Sequence, residues 1–264
     1  MSFKKFIIFS ISLLALLGFT TPSFAAGTVA VTATNSQGWT FNPDLTNTTP
    51  YEFSGAEAST GNGSLYVLPI DAVSAHKFIA TKGLGTLVSD FNSIAYDFLI
   101  AGSGTNADAD QFYLNVYTNL PSSTTFYDCR FDYVPTTGST AGFTTAAFNA
   151  TDVPTNVGDR PDLFACPATL AGMPAGSTVK FIALNVGDTT ASDIGLAGYL
   201  DNVVVNLDSD VTTYDFEVDE DGDGIPDTTP PASKDQCKKD GWKTFNNPSF
   251  KNQGQCVAYF NHSN

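Results

Sequence analysis

From Gly27 to about Asp210 the apolar side chains come in short runs, several of them alternating with polar ones, and no stretch sustains the three-to-four spacing of a helix. Thr28 to Thr34 alternates Val29, Val31 and Ala33. Gly63 to Pro69, Lys77 to Thr81 and Ser93 to Ala101 follow as further strands. Gln111 to Thr118 sets Phe112, Leu114 and Val116 on one face against Tyr113, Asn115 and Tyr117 on the other. Phe126 to Val134 sets Tyr127, Cys129, Phe131 and Tyr133 against Asp128, Arg130 and Asp132, a half-buried strand with one wet face. Thr178 to Val186 and Gly198 to Leu207 close the set. Gly102 to Asp110 and Pro135 to Asn156 read as loop by their Gly, Thr, Asp and Pro content, and Thr86 to Phe91 as a single helical turn. Roughly ten short strands without strand-helix alternation predict an all-β fold, a two-sheet antiparallel jelly-roll sandwich with one core.

The segments outside that pattern divide the rest of the chain. Met1 to Ala26 carries Lys4 and Lys5, an apolar run from Phe6 to Phe19 and a small-x-small site at Ser23-Phe24-Ala25, the three parts of a secretory signal. The run is short for a bilayer span of ~20 residues, and no later stretch approaches that length, so the expected protein is exported, extracellular or at the cell surface, and does not span a membrane. Residues 27–210 are the sandwich, 211–233 an acidic linker, and 234–264 a two-cysteine minidomain.

Charge sharpens this division. Without the two signal lysines the formal charge goes from −15 to −17; the tail from Thr228 has five Lys against Asp235 and Asp240, a net +3, leaving −20 on the body. Such a surface repels nucleic acid and anionic membranes and favours cations and neutral or cationic partners. Nucleic-acid binding is thereby excluded.

The densest array of oxygen ligands is Asp219-Glu220-Asp221-Gly222-Asp223-Gly224-Ile225-Pro226-Asp227. A coiled loop can turn Asp219, Asp221 and Asp223 inward while Gly224 takes the sharp turn, with the carbonyl of Ile225 and the side chain of Asp227 as further ligands. That is the donor set of a hard cation such as Ca²⁺, which takes six to eight oxygens at roughly 2.3–2.6 Å. Counting from Asp219, the twelfth position is Pro230, where an EF-hand needs a bidentate Glu, so the loop is of another kind. The D-x-D-x-D-G-x-x-D spacing resembles a single thrombospondin type 3 repeat, a calcium-binding linker of secreted and surface proteins; the resemblance covers nine residues and implies a structural Ca²⁺. A solvated acidic linker is the competing reading.

Gly38-Trp39-Thr40-Phe41, Gly61-Asn62-Gly63-Ser64-Leu65-Tyr66 and Gly198-Tyr199-Leu200-Asp201-Asn202-Val203-Val204-Val205 are similar to the first, early and last strands of jelly-roll modules in secreted bacterial proteins, among them galactose-binding-like carbohydrate-binding modules. The resemblance implies a role for Asp201 in holding a structural Ca²⁺. Fold does not fix function, and many such domains have no known sugar.

Four cysteines in an exported chain predict disulfides. The acidic linker lying between the two pairs favours Cys129 with Cys166 and Cys237 with Cys256 among the three possible pairings. A zinc site is disfavoured, for no C-x-x-C occurs and His76 and His262 are far from the cysteines. The tail, with Cys237-Lys238, Gly241-Trp242, Phe245, Pro248, Phe250, Asn252-Gln253-Gly254 and Cys256-Val257, resembles a terminal segment that recurs in exported bacterial proteins. Trp242, Phe245 and Phe250 are its only possible core.

Neither histidine is placed to serve a Ser-His-Asp triad, and no acid pair sits inside a clear apolar strand, so an enzyme is disfavoured. Sugar binding needs exposed aromatic faces backed by polar side chains. The candidates are Trp39, Tyr113, Tyr117, Tyr127, Tyr133 and Arg130; Trp39 reads as core, and Tyr113, Tyr117 and Arg130 as the ligand site, with Tyr113 and Tyr117 opposite the apolar face of their strand. The expected protein is thus a non-enzymatic, calcium-binding sandwich that acts as a glycan-binding or adhesion module, its partner an extracellular or cell-envelope polysaccharide. A structural matrix protein, with the sandwich as spacer and the tail as attachment unit, is the alternative; a glycoside-active enzyme is the third.

Overall fold

The computed structural model describes residues 26–42, 49–73, 77–102, 111–159, 164–188, 191–228 and 230–263. The segment read as an export signal lies outside the described residues except for Ala26, which opens the first strand, and His76 and most of the 102–110 loop lie outside them too.

Thirteen strands and one helix are described: β1 Ala26–Val31, β2 Trp39–Phe41, β3 Tyr51–Ser54, β4 Ser64–Val67, β5 Phe78–Leu87, β6 Phe91–Gly102, β7 Phe112–Asn119, β8 Cys129–Tyr133, β9 Thr144–Asn149, β10 Asn156–Asp159, β11 Thr178–Val186, β12 Ala197–Leu207, β13 Val211–Phe216 and α1 Gln253–Ser263. They form two facing sheets and a disulfide-closed appendage, the all-β sandwich that the alternation predicts. One sheet is built on β12, which takes β6 along one edge and shares the other between β4 and β13; β9, β3 and β1 complete it. The second runs β10-β8-β7-β11-β5-β2. The pairings are antiparallel except that of β1 with β13, which is parallel.

The core lies between the sheets. The rings of Phe98 on β6 and Phe112 on β7 stack across it at 5.1 Å, and the buried Tyr96 hydroxyl donates to the carbonyl of Phe112 at 2.7 Å. Gly198 lets β12 come this close to β7: a Cβ there would stand 2.3 Å from the Phe112 ring and 2.7 Å from the carbonyl oxygen of Leu99. Trp39, expected in the core, is buried against Phe216 and Tyr214.

Several stretches depart from the sequence reading, which has no strand at β3 or β10. Residues 144–149, read as loop, are edge strand β9, whose Thr-Thr-Ala-Ala-Phe-Asn sequence offers too few apolar residues for alternation to show. Val211–Phe216, placed in the linker by the acids around it, pairs with β1 and β12, and Phe216 is fully buried. The turn expected at 86–91 is a short 3₁₀ segment, Val88–Asp90.

Both expected disulfides are formed, with Cα atoms 5.8 Å apart for Cys129 and Cys166 and 5.7 Å apart for Cys237 and Cys256. In the tail, Phe250 is buried with the second disulfide, and Trp242, Phe245, Val257 and Tyr259 pack around it. Asn252 Oδ1 caps α1 by accepting from the backbone N–H of Gln255 at 2.9 Å. Among the described residues no helix is long and apolar enough to cross a membrane.

Candidate functional site

The outer face of the second sheet is set by register. Tyr117 on β7 stands opposite Arg130 on β8 and Phe181 on β11; in the next row of that face Asn115 stands between Asp132 and Ala183, and Asn156 on β10 stands opposite Asp132. Long side chains therefore share this face, with Asn115 and Asp132 in its middle row. The result is an open cleft of about 370 Å³ whose walls include Lys77, Tyr113, Tyr117, Arg130 and Asp132. The three residues expected to bind ligand, Tyr113, Tyr117 and Arg130, all line it.

Asp132 is the hub. It accepts from Arg130 Nε at 2.7 Å and Nη2 at 2.8 Å, from Asn115 Nδ2 at 2.6 Å and from Asn156 Nδ2 at 3.0 Å. Asn185 Nδ2 in turn donates to Asn115 Oδ1 at 2.9 Å. Such a network fixes the side chains before any ligand arrives. Lys77 donates to the Tyr113 hydroxyl at 2.6 Å. Burial, with the nearby Arg130 charge, lowers the pKa of Lys77 to about 8, and burial likewise raises that of Tyr113.

The aromatic wall differs from the expected pair of flat platforms. Tyr117 stacks on Phe181 with centroids 4.2 Å apart and planes 17° from parallel, so one face of Tyr117 is already covered. The open ring beside them is Phe126, 54% exposed, with its centroid 5.3 Å from Phe181 and 6.2 Å from Tyr117. Tyr127 is half-buried against Tyr117, and Tyr133 is in the core. Asp132 was legible from its two-residue spacing to Arg130; Phe181 was not, because a bulge between Val179 and Phe181 throws its ring to the outer face while Val179 points inward. Lys77, Asn156 and Phe126 gave no sequence signal.

The acidic loop forms a second cluster. Carboxylate oxygens of Asp219, Asp221 and Asp223 lie within 4.8 Å of one another. Gly222 and Gly224 take φ of 74° and 82°, values that a residue with a Cβ rarely adopts, and these let the loop coil. Asp219 Oδ2 accepts from Thr32 Oγ1, Thr34 Oγ1 and the Gly224 N–H, and the Thr34 bond holds its carboxyl below the usual range despite some burial. Asp227 Oδ2 accepts from the Glu220 N–H at 2.7 Å. Oδ1 of Asp219 and Oδ1 of Asp227 are both buried without a hydrogen-bond partner, which is the donor chemistry a cation satisfies. The Ile225 side chain is exposed and its N–H donates to Asp223 Oδ1 at 2.8 Å.

Asp201 stands apart from that set. The left-handed Asn202, φ 49°, breaks the β12 register, and Asp201 accepts four backbone N–H bonds, from Ser59, Thr60, Asn202 and Phe216, at 2.7–3.2 Å. Burial pushes its pKa up to about 7 against those four bonds. It ties the 59–62 segment to β12 and β13.

The chain matches no protein-family model and no curated protein. Among solved structures it is similar to the family 11 carbohydrate-binding module from Clostridium thermocellum in complex with a β-1,3-1,4-mixed-linked tetrasaccharide, at 11% identity over 64% of this chain and 87% of that one, with a TM-score of 0.38. It is also similar to the module CsCBM6-3 from Clostridium stercorarium in complex with cellobiose, at 11% identity over 72% and 99%, TM-score 0.25. The enzymatically active domain of tailspike protein 4 from bacteriophage CBA120 matches at 14% identity over 65% of this chain, TM-score 0.36; this chain spans 19% of the tailspike domain's length. At these values the reading of function rests on the cleft itself.

Proposed function

We propose that this protein is an exported, non-enzymatic glycan-binding or adhesion module whose acidic loop takes a structural Ca²⁺, and that its ligand is an extracellular or cell-envelope polysaccharide. The observation that carries the reading is the convergence of Tyr113, Tyr117 and Arg130 on one cleft, held on paired strands around Asp132. Aromatic carbon surface beside a fixed set of N–H and carboxylate groups is what a pyranose, with its apolar faces and hydroxyl rim, requires. A binding role rather than hydrolysis is supported by Asp132 itself: four donors occupy its oxygens, which leaves it poorly suited to act as a free acid or base. Two disulfides suit an oxidising compartment.

Ca²⁺ would be held by Asp219, Asp221, Asp223, the carbonyl of Ile225 and Asp227, the loop that Thr32 and Thr34 anchor to the sandwich and Asn246 anchors to the tail. The test is a pull-down of residues 27–264 on a panel of insoluble and immobilised polysaccharides, in Ca²⁺ and in EDTA. Retention on one polysaccharide, lost in Tyr117→Ala and kept after deletion of 234–264, is the expected result. Failure to be retained on any of them in either buffer overturns the glycan reading.

A further inference from the structure

We infer that the glycan site continues out of the cleft onto Phe126, so that the protein grips a run of consecutive sugar units along a chain rather than a single sugar. The inference rests on the reading of the cleft as a glycan site and adds to it a second aromatic contact and a ligand class, an internal stretch of polysaccharide.

A lone exposed phenyl ring means little on a protein surface. Here three observations combine. Phe126 is the most exposed aromatic side chain among the described residues. It is contiguous with the cleft, since Tyr117 both lines the cleft and lies 6.2 Å from the Phe126 ring, with Phe181 at 5.3 Å and Tyr127 at 5.8 Å behind it. And the loop that carries it is tied down by hydrogen bonds and a disulfide. Lys180 Nζ donates to the carbonyls of Thr125 at 3.1 Å and Phe126 at 2.9 Å. Asp128 accepts from the Leu120 N–H at 2.8 Å and from Thr125 Oγ1 at 2.9 Å, and Asn119 Nδ2 donates to the Thr125 carbonyl at 3.2 Å. The disulfide at Cys129 closes the base.

Exposed loop side chains in general sample many rotamers, and ordering them on binding costs affinity; a ring already fixed by its neighbours escapes that cost. A buried aspartate, a lysine and a disulfide thus hold one apolar ring where water meets it, beside the Tyr117 wall of the cleft, with Lys180 Nζ 5.4 Å over the ring. A sugar chain that leaves the cleft past Tyr117 meets Phe126 next.

The test uses residues 27–264 and hydrolysate ladders of one, two, four and six sugar units, prepared from every polysaccharide of the pull-down panel and titrated by calorimetry. Phe126→Ala is expected to weaken binding of the six-unit fragment about tenfold, to leave binding of the one- and two-unit fragments unchanged, and to leave the urea midpoint unchanged; Phe126→Trp is expected to restore the six-unit affinity. Equal affinity of wild type and Phe126→Ala at six units overturns the inference and leaves the cleft reading standing. Equal losses at every length overturn it too, since they make Phe126 a support of the cleft and not a second contact. Absence of wild-type binding to any fragment, at any length, overturns the inference together with the reading beneath it.

Discussion

Arg130 and Asp132, two positions apart on β8, are joined by two hydrogen bonds, Nε to Oδ1 at 2.7 Å and Nη2 to Oδ2 at 2.8 Å. The guanidinium is one-third exposed, so the pair adds little stability, and its value lies in geometry: the fork fixes the Arg130 head group against Asp132 in the cleft wall. Arg130→Lys keeps the charge and loses the fork. The expected outcome is at least about a tenfold loss of polysaccharide affinity with a change in unfolding free energy of at most about 1 kcal/mol, read by affinity electrophoresis beside urea denaturation. Affinity equal to wild type would show that only charge matters at this position.

Calcium should stabilise the protein by mass action on the native state, about 2.7 kcal/mol at a hundredfold excess over Kd. Asp221 and Asp223 are exposed, and their hydrogen bonds to the protein stay within the loop itself. Asp221→Asn with Asp223→Asn is therefore expected to erase the Ca²⁺-induced rise in Tm while leaving Tm in EDTA nearly as in wild type. A calcium shift that survives both substitutions would place the ion elsewhere.

Glu217 accepts from the Asn62 N–H at 2.8 Å and bonds to Asp215; burial, together with the Asp215 and Asp201 charges, raises its pKa from 4.5 to about 7. The folded protein thus holds a proton in the window from about 4.5 to 7 that the unfolded chain has lost, so stability falls as pH rises through that window. In EDTA the urea midpoint should decline from pH 5 to pH 8 in the wild type and decline less in Glu217→Gln, which mimics the protonated side chain. Parallel pH profiles for the two proteins would refute this.

Gly198→Ala should cost about 1–3 kcal/mol by overpacking, because the new methyl meets both the Phe112 ring and the Leu99 carbonyl. Phe112→Leu in the same chain should recover part of the loss, a coupling that a double-mutant cycle measures directly.

What alternation could reveal, it did. On β7 the tyrosines stand opposite Phe112, Leu114 and Val116, so Tyr113 and Tyr117 could be placed on the wet face from sequence alone, and Arg130 with them. The acidic loop was equally legible, since its spacing is local and its three carboxylates do converge. Non-local relations stayed hidden. Phe181 reaches the cleft only through a bulge, Lys77 only through strand order, and the cover on Tyr117 only through the pairing of β7 with β11. Charge misled at Val211–Phe216, where acids around a strand read as a linker although Phe216 is one of the largest buried side chains.

The parallel pairing of β1 with β13 joins the first described strand to the last, and β1 has no other partner among the described strands. Everything between them must be synthesised before that edge of the sheet can close, and it is the strand pairing of longest sequence separation, a late event in folding. As the chain emerges from the ribosome, β1 waits unpaired until β13 has followed it, so the sandwich keeps one open edge for almost the whole of its synthesis.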